Sequence, residues 1–307
     1  MTLLKKKTEV TNQVALGSDA HEELVKKERR ANNVWNKLKR NKTAMVGLII
    51  VTIMMIMAIF APFIATHDPN AIDPVNSYLE FGEQGHIFGT DEFGRDLFSR
   101  IVYGSRVSLI AAVGGVCVGG VIGILLGLLS GYKGGAVDAV IMRIMDGLLA
   151  YPHILLAILL MTVLGSGLFS VVLAIGIGNV PNFARVVRGQ VMIVKNEEYC
   201  NAGRVIGISN ARLLFKHILP NTVSTVIVYA TLNVAGAIIS EATLSFLGLG
   251  ISPPTPSWGN ILRAGKDCLT TAPHIATMSG LFILVTVLGF NLFGDGIRDV
   301  LDPKMKR

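Results

Sequence analysis

The acidic residue at position 241 is the most conspicuous ionisable group in the sequence. It follows 24 residues without charge and precedes a further apolar stretch that ends at Gly250. Carboxylates inside a membrane span are rare and face a bundle interior or water, so Glu241 is a candidate intramembrane functional residue. The alternative is that Glu241 lies near a membrane interface and is simply solvated. Both interpretations are open from the sequence.

A second candidate site is the long loop 191–220. A small residue at Ala202 is followed by a turn signal at Gly207, and Ser209 is placed to N-cap a second helix that stops before Pro220. The pattern predicts two short helices around a glycine. An exposed knob of this kind suits insertion into a groove of a partner protein.

Motifs typical of enzymes are missing from the sequence. The Gly265-Lys266 pair is followed by an aspartate and forms no phosphate-binding loop. The apolar runs contain no H-E-x-x-H, G-x-S-x-G or metal-ligating cluster, and Cys117, Cys200 and Cys268 have neither C-x-x-C nor zinc spacing. We therefore expect a chain that is not an enzyme and has no catalytic residue, metal site or cofactor. If the protein moves a solute uphill, the energy must come from another chain or from an ion gradient.

The composition places these residues in a membrane protein. Hydrophobic residues make up 51% of the chain and charged residues 16%, whereas soluble domains carry about 25% charged residues. A helix needs about 20 apolar residues to cross a bilayer. Runs of this kind lie at 43–66, 107–132, 147–184, 217–240 and 268–294. The third run is long enough for a hairpin divided at residues 165–167, so the sequence predicts an all-α membrane protein with six transmembrane helices.

The positive charges orient these helices. Eleven of the 28 lysine and arginine residues lie in the first 43 positions, and a cytoplasmic N-terminus leaves 23 of the 28 inside. Both termini are therefore predicted to be cytoplasmic, and the net charge of +7 reflects membrane topology instead of a nucleic-acid partner. The predicted parts are a cytoplasmic tail (1–43), an anchor helix (44–66), an extracytoplasmic segment (67–106) and a core (107–307). The core holds five further helices, the cytoplasmic loop 191–220 and a short cytoplasmic C-terminus.

Three features inside the apolar runs bear on packing. Glycines recur at positions 115, 119, 123, 127 and 131, which predicts close helix packing or, alternatively, a wall of a substrate pathway. Pro152 and Pro181 are expected to bend their helices, either to line a cavity or as structural kinks. Arg143 and Asp146 are three residues apart and are expected to pair within one helix.

The segment 191–220 resembles the cytoplasmic signature of permease subunits of ATP-binding-cassette importers. That signature reads E-A-A, with a glycine four positions after the second alanine and a proline 13 positions further on; its counterparts are Asn201, Ala202, Gly203, Gly207 and Pro220. The spacing is intact, but Asn201 and Gly203 replace the glutamate and the second alanine. Other stretches resemble the second permease subunit of oligopeptide and dipeptide importers, a branch related to nickel permeases: GTDEFGRDLFSRIVYGSRVSL (89–109), EATLSFLGLG (241–250), PSWGN (256–260) and NLFGDGIRDVLDPK (291–304). The resemblance covers about residues 33 to 307.

The resemblance implies a type I importer permease fold in a bacterial cell membrane. It also implies a homologous permease partner, two cytoplasmic ATPase subunits that bind the ATP, and an extracytoplasmic substrate-binding protein. A coupling helix would be seated in the ATPase through Ala202, Gly203 and Gly207, with Asn201, Arg204 and Ser209 as its polar rim and Pro220 closing the motif.

The primary functional hypothesis is therefore a permease for peptides that forms half of the translocation pathway. Import of nickel or a metallophore is an alternative, although the predicted spans show no lining rich in histidine or cysteine. An alternative of another class is an ion-coupled carrier or membrane enzyme that works alone, with Glu241 as its proton or ion site.

Overall fold

The computed structural model describes residues 34–301, and within that range the chain is helical, with one isolated β-bridge between Thr90 and Asp96. Most of the predicted tail 1–43 and the end of the predicted C-terminal segment lie outside the described residues. In chain order the helices are α1 (Val34–Arg40), α2 (Lys42–Ile59), α3 (Ala61–Ile64), α4 (Leu97–Lys133), α5 (Gly135–Leu149), α6 (His153–Leu164), α7 (Leu168–Val194), α8 (Glu198–Val205), α9 (Asn210–Phe246), α10 (Trp258–Asp267) and α11 (Pro273–Leu301).

Five of these helices are long and apolar enough to cross a membrane, namely α2, α4, α7, α9 and α11. Helices α5 and α6 pass the same test together, but they meet at an angle of 89°. The break lies at Pro152, which is the N-cap of α6, a position where the missing N–H of proline costs nothing. Counting this bent pair as one crossing gives six, and the all-α membrane fold is confirmed.

The third crossing differs from the predicted one. Helix α6 has 12 residues, so at 1.5 Å per residue it is only about 18 Å long. The predicted division of the run 147–184 is confirmed, because α6 ends at Leu164 and α7 begins at Leu168. Pro181 lies inside α7 without ending it.

The glycine row of α4 packs directly against α7. All five glycines of the row are buried. A Cβ atom added at Gly119 would lie 2.6 Å from the carbonyl oxygen of Gly176 in α7, which is closer than any side chain tolerates. The two backbones are therefore in contact, as expected for small residues spaced four apart. This supports the packing interpretation of the row.

Hydrogen bonds between segments show which helix ends lie together. On one side Lys195 Nζ donates to the carbonyl of Gly131 at 2.7 Å, and the Tyr132 hydroxyl donates to Asn210 Oδ1 at 2.6 Å. On the other side the N–H of Gly167 donates to the carbonyl of Gly250 at 3.0 Å. We name the first side the inner face and the second the outer face, following the orientation predicted from charge.

Helix α4 begins at Leu97 and not at Val107, so residues 97–106 of the predicted extracytoplasmic segment are helical. The Asp96 carboxylate accepts from the N–H of Ser99 and caps the first turn. The guanidinium of Arg100 reaches back from α4 and donates to the carbonyl of Pro69 at 2.9 Å. The side-chain cap and this hydrogen bond hold the added turns of α4 against the segment that precedes them.

Helix α9 continues through the proline at which a stop was predicted, so that prediction is wrong. Residues Leu213–Ile218 form a π-helical stretch, and the N–H of Leu219 donates to the carbonyl of Leu214, five residues back. Pro220 follows at once, in the first turn of the α-helical part. Because the hydrogen-bond register changes at this point, a residue without an N–H is accommodated and the helix runs on to Phe246.

Candidate functional site

Helix α8 and the turn that closes it form the first candidate site. Gly207 has φ +79°, a backbone conformation that glycine adopts readily. Its N–H donates to the carbonyl of Arg204 at 3.1 Å, and the N–H of Ile208 donates to the carbonyl of Gly203 at 3.0 Å. This pair of bonds is a Schellman motif, which satisfies the last carbonyls of a helix. No atom lies within 4 Å of a Cβ added at Gly207, so its conformation and not its small size explains the glycine here.

An apolar cluster attaches α8 to the inner ends of three spans. Its buried members come from α4, α7, α8 and α9: Leu128, Val187, Val191, Val194, Cys200, Leu213 and Ile218. We name this set the inner cluster. Helix α8 therefore shares one packed core with the inner ends of these spans.

Gly203 lies on the buried side of α8 and differs in this from the expectation that it forms part of a contact surface. A Cβ added there would lie 3.4 Å from the side chains of Ile208 and Leu213. Ala202 and Gly207, the other residues of the expected seat, are exposed. The structure therefore brings Ala202 and Gly207 to the surface and uses Gly203 for packing.

The expected polar rim is partly paired within the segment itself. The guanidinium of Arg204 donates to Asn201 Oδ1 at 2.9 Å and to the carbonyl of Lys195 at 3.1 Å. Ser209 is exposed at the N-cap position of α9, but its side chain makes no capping hydrogen bond, and its carbonyl accepts from Leu213 at 2.9 Å. The predicted side-chain cap by Ser209 is therefore absent.

Two residues that sequence analysis missed dominate the exposed surface of this segment. Val205 is 87% exposed and Ile206 is 76% exposed, and we name this pair the apolar tip. Arg204 and Arg212 on either side are also exposed. The available signal was a pair of β-branched residues directly before the turn glycine. Contiguous exposed apolar residues with a polar border are typical of a protein interaction surface.

Glu241 is the second candidate site, and its side chain is fully buried in α9. The hydroxyl of Ser245 donates to Glu241 Oε1 at 2.8 Å. Among the described residues, Glu241 Oε2 has no hydrogen-bond partner, although the hydroxyls of Ser108 and Ser257 lie near the carboxyl group. The interpretation of Glu241 as a solvated interface residue is therefore wrong.

Trp258, at the start of α10, holds the elements around Glu241 together. Its indole N–H donates to the carbonyl of Ile101 at 3.1 Å, and its backbone N–H donates to Ser108 Oγ at 3.2 Å. The hydroxyl of Ser279 in α11 donates to the Trp258 carbonyl at 2.6 Å. We name Glu241, Ser245, Trp258, Ser108 and Ser279 the outer junction, which connects α4, α9, α10 and α11.

The pairing expected between Arg143 and Asp146 is wrong. Asp146 instead accepts from Arg185 of α7 at 2.6 Å. Asp138, also in α5, accepts two bonds from Arg188 at 2.6 and 2.7 Å. The acids of α5 therefore connect two helices and do not neutralise a charge on their own helix, because the bend at Pro152 leaves α5 lying beside the inner end of α7.

Comparison with known proteins places the chain among transport permeases. The family described as "Binding-protein-dependent transport system inner membrane component" matches residues 123–307, and the "N-terminal TM domain of oligopeptide transport permease C" matches residues 31–80. A dipeptide transport system permease protein of Alkalihalophilus pseudofirmus is 45% identical over 272 residues, which is 89% of each chain. A glutathione transport system permease protein of Escherichia coli is also 45% identical, over 89% of this chain and 90% of its own.

A third relative, a di/tripeptide transport system permease protein of Pseudomonas aeruginosa, is 42% identical over 89% of this chain and 91% of its own. Among solved structures, the inward-facing MetNI methionine ABC transporter aligns with a TM-score of 0.54 at 18% identity. That alignment covers 66% of this chain and 96% of the other, and it supports the type I permease fold. The chain therefore belongs to the family of binding-protein-dependent transport system inner membrane components and is a permease subunit of the ATP-binding-cassette transporter class.

Proposed function

We propose that this chain is a permease subunit of an ATP-driven peptide importer and forms half of its translocation pathway. The observation that carries the proposal is identity of 42–45% across 89% of the chain to permeases named for dipeptides, di/tripeptides and glutathione. All three named cargoes are short peptides or peptide-like molecules, which favours peptide over nickel as the cargo.

The inner face is where we place the coupling to ATP hydrolysis. The apolar tip projects from α8, which is attached through the inner cluster to α4, α7 and α9. An ATPase groove that covers Val205 and Ile206 would remove two large apolar side chains from water. Movement of that groove would then move three spans together. Asn201, Ala202, Arg204, Gly207 and Ser209 border the tip and complete the proposed contact.

The assembly that follows contains other chains. A homologous permease would form the second half of the pathway, and two cytoplasmic ATPase subunits would bind the ATP, so this chain needs no cofactor of its own. The family description, "binding-protein-dependent", supports an extracytoplasmic protein that delivers the cargo to the outer face. The excess of lysine and arginine on the inner side supports cytoplasmic termini in a multi-pass protein of a bacterial cell membrane.

Uptake by cells tests this proposal. A strain that lacks this chain should lose uptake of a labelled dipeptide and regain it when the chain is restored together with its partner subunits. Labelled nickel serves as the competing cargo in the same cells. Restoration of nickel uptake without dipeptide uptake would contradict the peptide assignment, and uptake that persists without any ATPase subunit would contradict the coupling.

A further inference from the structure

Three potential metal ligands meet on the outer face, in the segment between α3 and α4. His67 follows α3, His86 follows the short helical turn Glu83–Gly85, and Asp96 is the N-cap of α4. One ligand atom from each lies within 4.8 Å of the other two. The sequence predicted no metal site, because these positions are 19 and 10 residues apart and no local spacing joins them.

Both imidazoles point toward one carboxylate oxygen. His86 Nδ1 lies 2.8 Å from Asp96 Oδ1, and His67 Nδ1 lies 3.7 Å from the same atom. The two rings are stacked, with centroids 4.5 Å apart. Two ligands bound to zinc at 2.0–2.1 Å in tetrahedral geometry are about 3.3 Å apart. The observed separations bracket this value, so small side-chain rotations would bring all three atoms into range of one ion.

Neighbouring groups hold the three side chains in place. The N–H of Ser99 donates to Asp96 Oδ2 at 2.8 Å, which orients the carboxylate and leaves Oδ1 toward the histidines. The N–H of His67 donates to Ser99 Oγ at 3.0 Å. Outer hydrogen bonds of this kind fix the orientation of metal ligands in known sites. Thr66 Oγ1 lies 3.0 Å from His67 Nδ1 itself, and a bound ion would replace that contact.

The cluster is also accessible from solvent. The side chain of Asp96 is only 1% exposed and that of His86 13%, but that of His67 is 41% exposed. An open cavity of about 530 Å³ borders the cluster, lined by Thr66, His67 and Tyr103 among other residues. A metal ion could enter past His67, and a water molecule from the cavity could complete a four-ligand shell.

The hydrogen bond between His86 and Asp96 explains only part of this arrangement. His67 Nδ1 is too far from the carboxylate to make a hydrogen bond. Its ring nevertheless stacks on His86 and presents the same nitrogen to the same oxygen. A cation at this point would interact with all three groups at once. Two imidazoles and one carboxylate are a donor set that suits Zn²⁺.

We propose that His67, His86 and Asp96 form a binding site for a divalent transition-metal ion of the Zn²⁺ type on the outer face. The ion would connect the start of α4 to the segment that precedes it and would be bound by the permease itself, separately from any cargo. The site depends neither on the identity of the cargo nor on the coupling to ATP.

Metal binding by the intact transporter complex tests this site. The purified complex, treated with a chelator and then dialysed against Zn²⁺, should retain about one more zinc ion per chain than the His67→Ala complex. The exposed position of His67 makes this variant the least disruptive to folding. His217→Ala, on the inner face, is the matched control and should bind like the wild type. Loss of a ligand should weaken zinc binding at least tenfold.

A spectroscopic measurement and a second variant keep the proposal falsifiable. Co²⁺ in a tetrahedral site absorbs visible light strongly, and this band should appear in the wild-type complex and be absent from His86→Ala. Asp96→Asn preserves the helix cap, because asparagine is also a good N-cap, and it should still lose the metal. Equal zinc content in wild-type and His67→Ala complexes would overturn the proposal, as would wild-type complex that binds no zinc at micromolar concentration.

Discussion

The outer junction and the apolar tip are opposite kinds of surface in one chain. At the outer junction polar groups are buried and bonded to one another, as when Trp258 donates to Ile101 and accepts from Ser279. At the apolar tip two large apolar side chains are exposed. Most polar groups of the outer junction are paired within the chain, whereas the apolar side chains of the tip are exposed to solvent.

The outer junction and the apolar tip therefore differ in whether they depend on a partner protein. Buried hydrogen bonds contribute to the stability of the isolated chain, and removing one partner leaves a costly unpaired group. Val205 and Ile206 are largely exposed, so they contribute little to that stability. Under the proposed function their contribution comes on association with the ATPase. Substitutions in the two regions should therefore separate stability from assembly.

The largest expected effect is on assembly. Replacing both residues of the apolar tip, Val205→Ser with Ile206→Ser, should weaken the affinity for the ATPase by about 3 kcal/mol, or about a hundredfold. The apparent melting temperature of the permease should not change. The affinity is measured by titrating purified ATPase against the permease pair in detergent.

Val75→Ser is the matched control for the tip, because Val75 is 92% exposed in the segment between α3 and α4. Val75→Ser should alter neither the affinity for the ATPase nor the melting temperature of the permease. Unchanged ATPase affinity in the tip variant would remove the tip from the proposed interface. A lower melting temperature in the tip variant would contradict the inference that the tip adds little to the stability of the isolated chain.

The next effect is on stability, at the outer junction. Glu241→Ala should destabilise the chain by about 2 kcal/mol, because it removes the acceptor of the Ser245 O–H in a buried site. Glu241→Gln retains an oxygen that accepts from Ser245, so it should stay within about 1 kcal/mol of the wild type and should support uptake. Both are measured as apparent melting temperatures beside dipeptide uptake. A Gln variant that folds but does not transport would instead assign the carboxylate to the transport step.

A third, smaller effect concerns the turn that presents the tip. Gly207→Val places a β-branched residue at φ +79° and should cost about 1–2 kcal/mol in local stability. We expect loss of peptide uptake and of its coupling to ATP hydrolysis, with the chain still inserted in the membrane. Gly207→Asn is the control, since asparagine tolerates this conformation, and it should retain uptake. Loss of uptake in both variants would show that the space beside Gly207 matters more than its backbone angle.

Much of the fold was predictable because hydropathy and glycine spacing depend on local rules. The division at residues 165–167 and the close packing at Gly119 followed from residue types alone. Helix ends were harder to predict. Asp96 caps α4 well before the apolar run starts, and a π-helical stretch carries α9 through Pro220. Both depend on hydrogen bonds that hydropathy does not record.

The site around Gly207 was predictable from a linear motif, and Glu241 from its position after a run without charge. The segment around Gly207 has such a motif, but its most exposed residues, Val205 and Ile206, do not belong to it. The pairing of Asp146 was predicted within its own helix, because a sequence shows neighbours at helical spacing and not those across a bend. For the same reason, the sequence did not predict that His67 lies beside Asp96.

The smallest expected effect on stability concerns two ion pairs between α5 and α7, one exposed and one partly buried. The side chains of Asp146 and Arg185 are 49% and 50% exposed, so Asp146→Asn should cost less than about 1 kcal/mol. Asp138 is more buried, accepts two bonds from Arg188 and also accepts from the Ser130 hydroxyl. Asp138→Asn should therefore lower the apparent melting temperature more than Asp146→Asn does. Added salt should reduce the effect of Asp146→Asn more than that of Asp138→Asn, because buried pairs are screened less. Equal losses of melting temperature in the two variants would mean that burial does not determine the strength of these ion pairs. The contrast between buried, bonded groups and the exposed tip would then be supported by the outer junction alone.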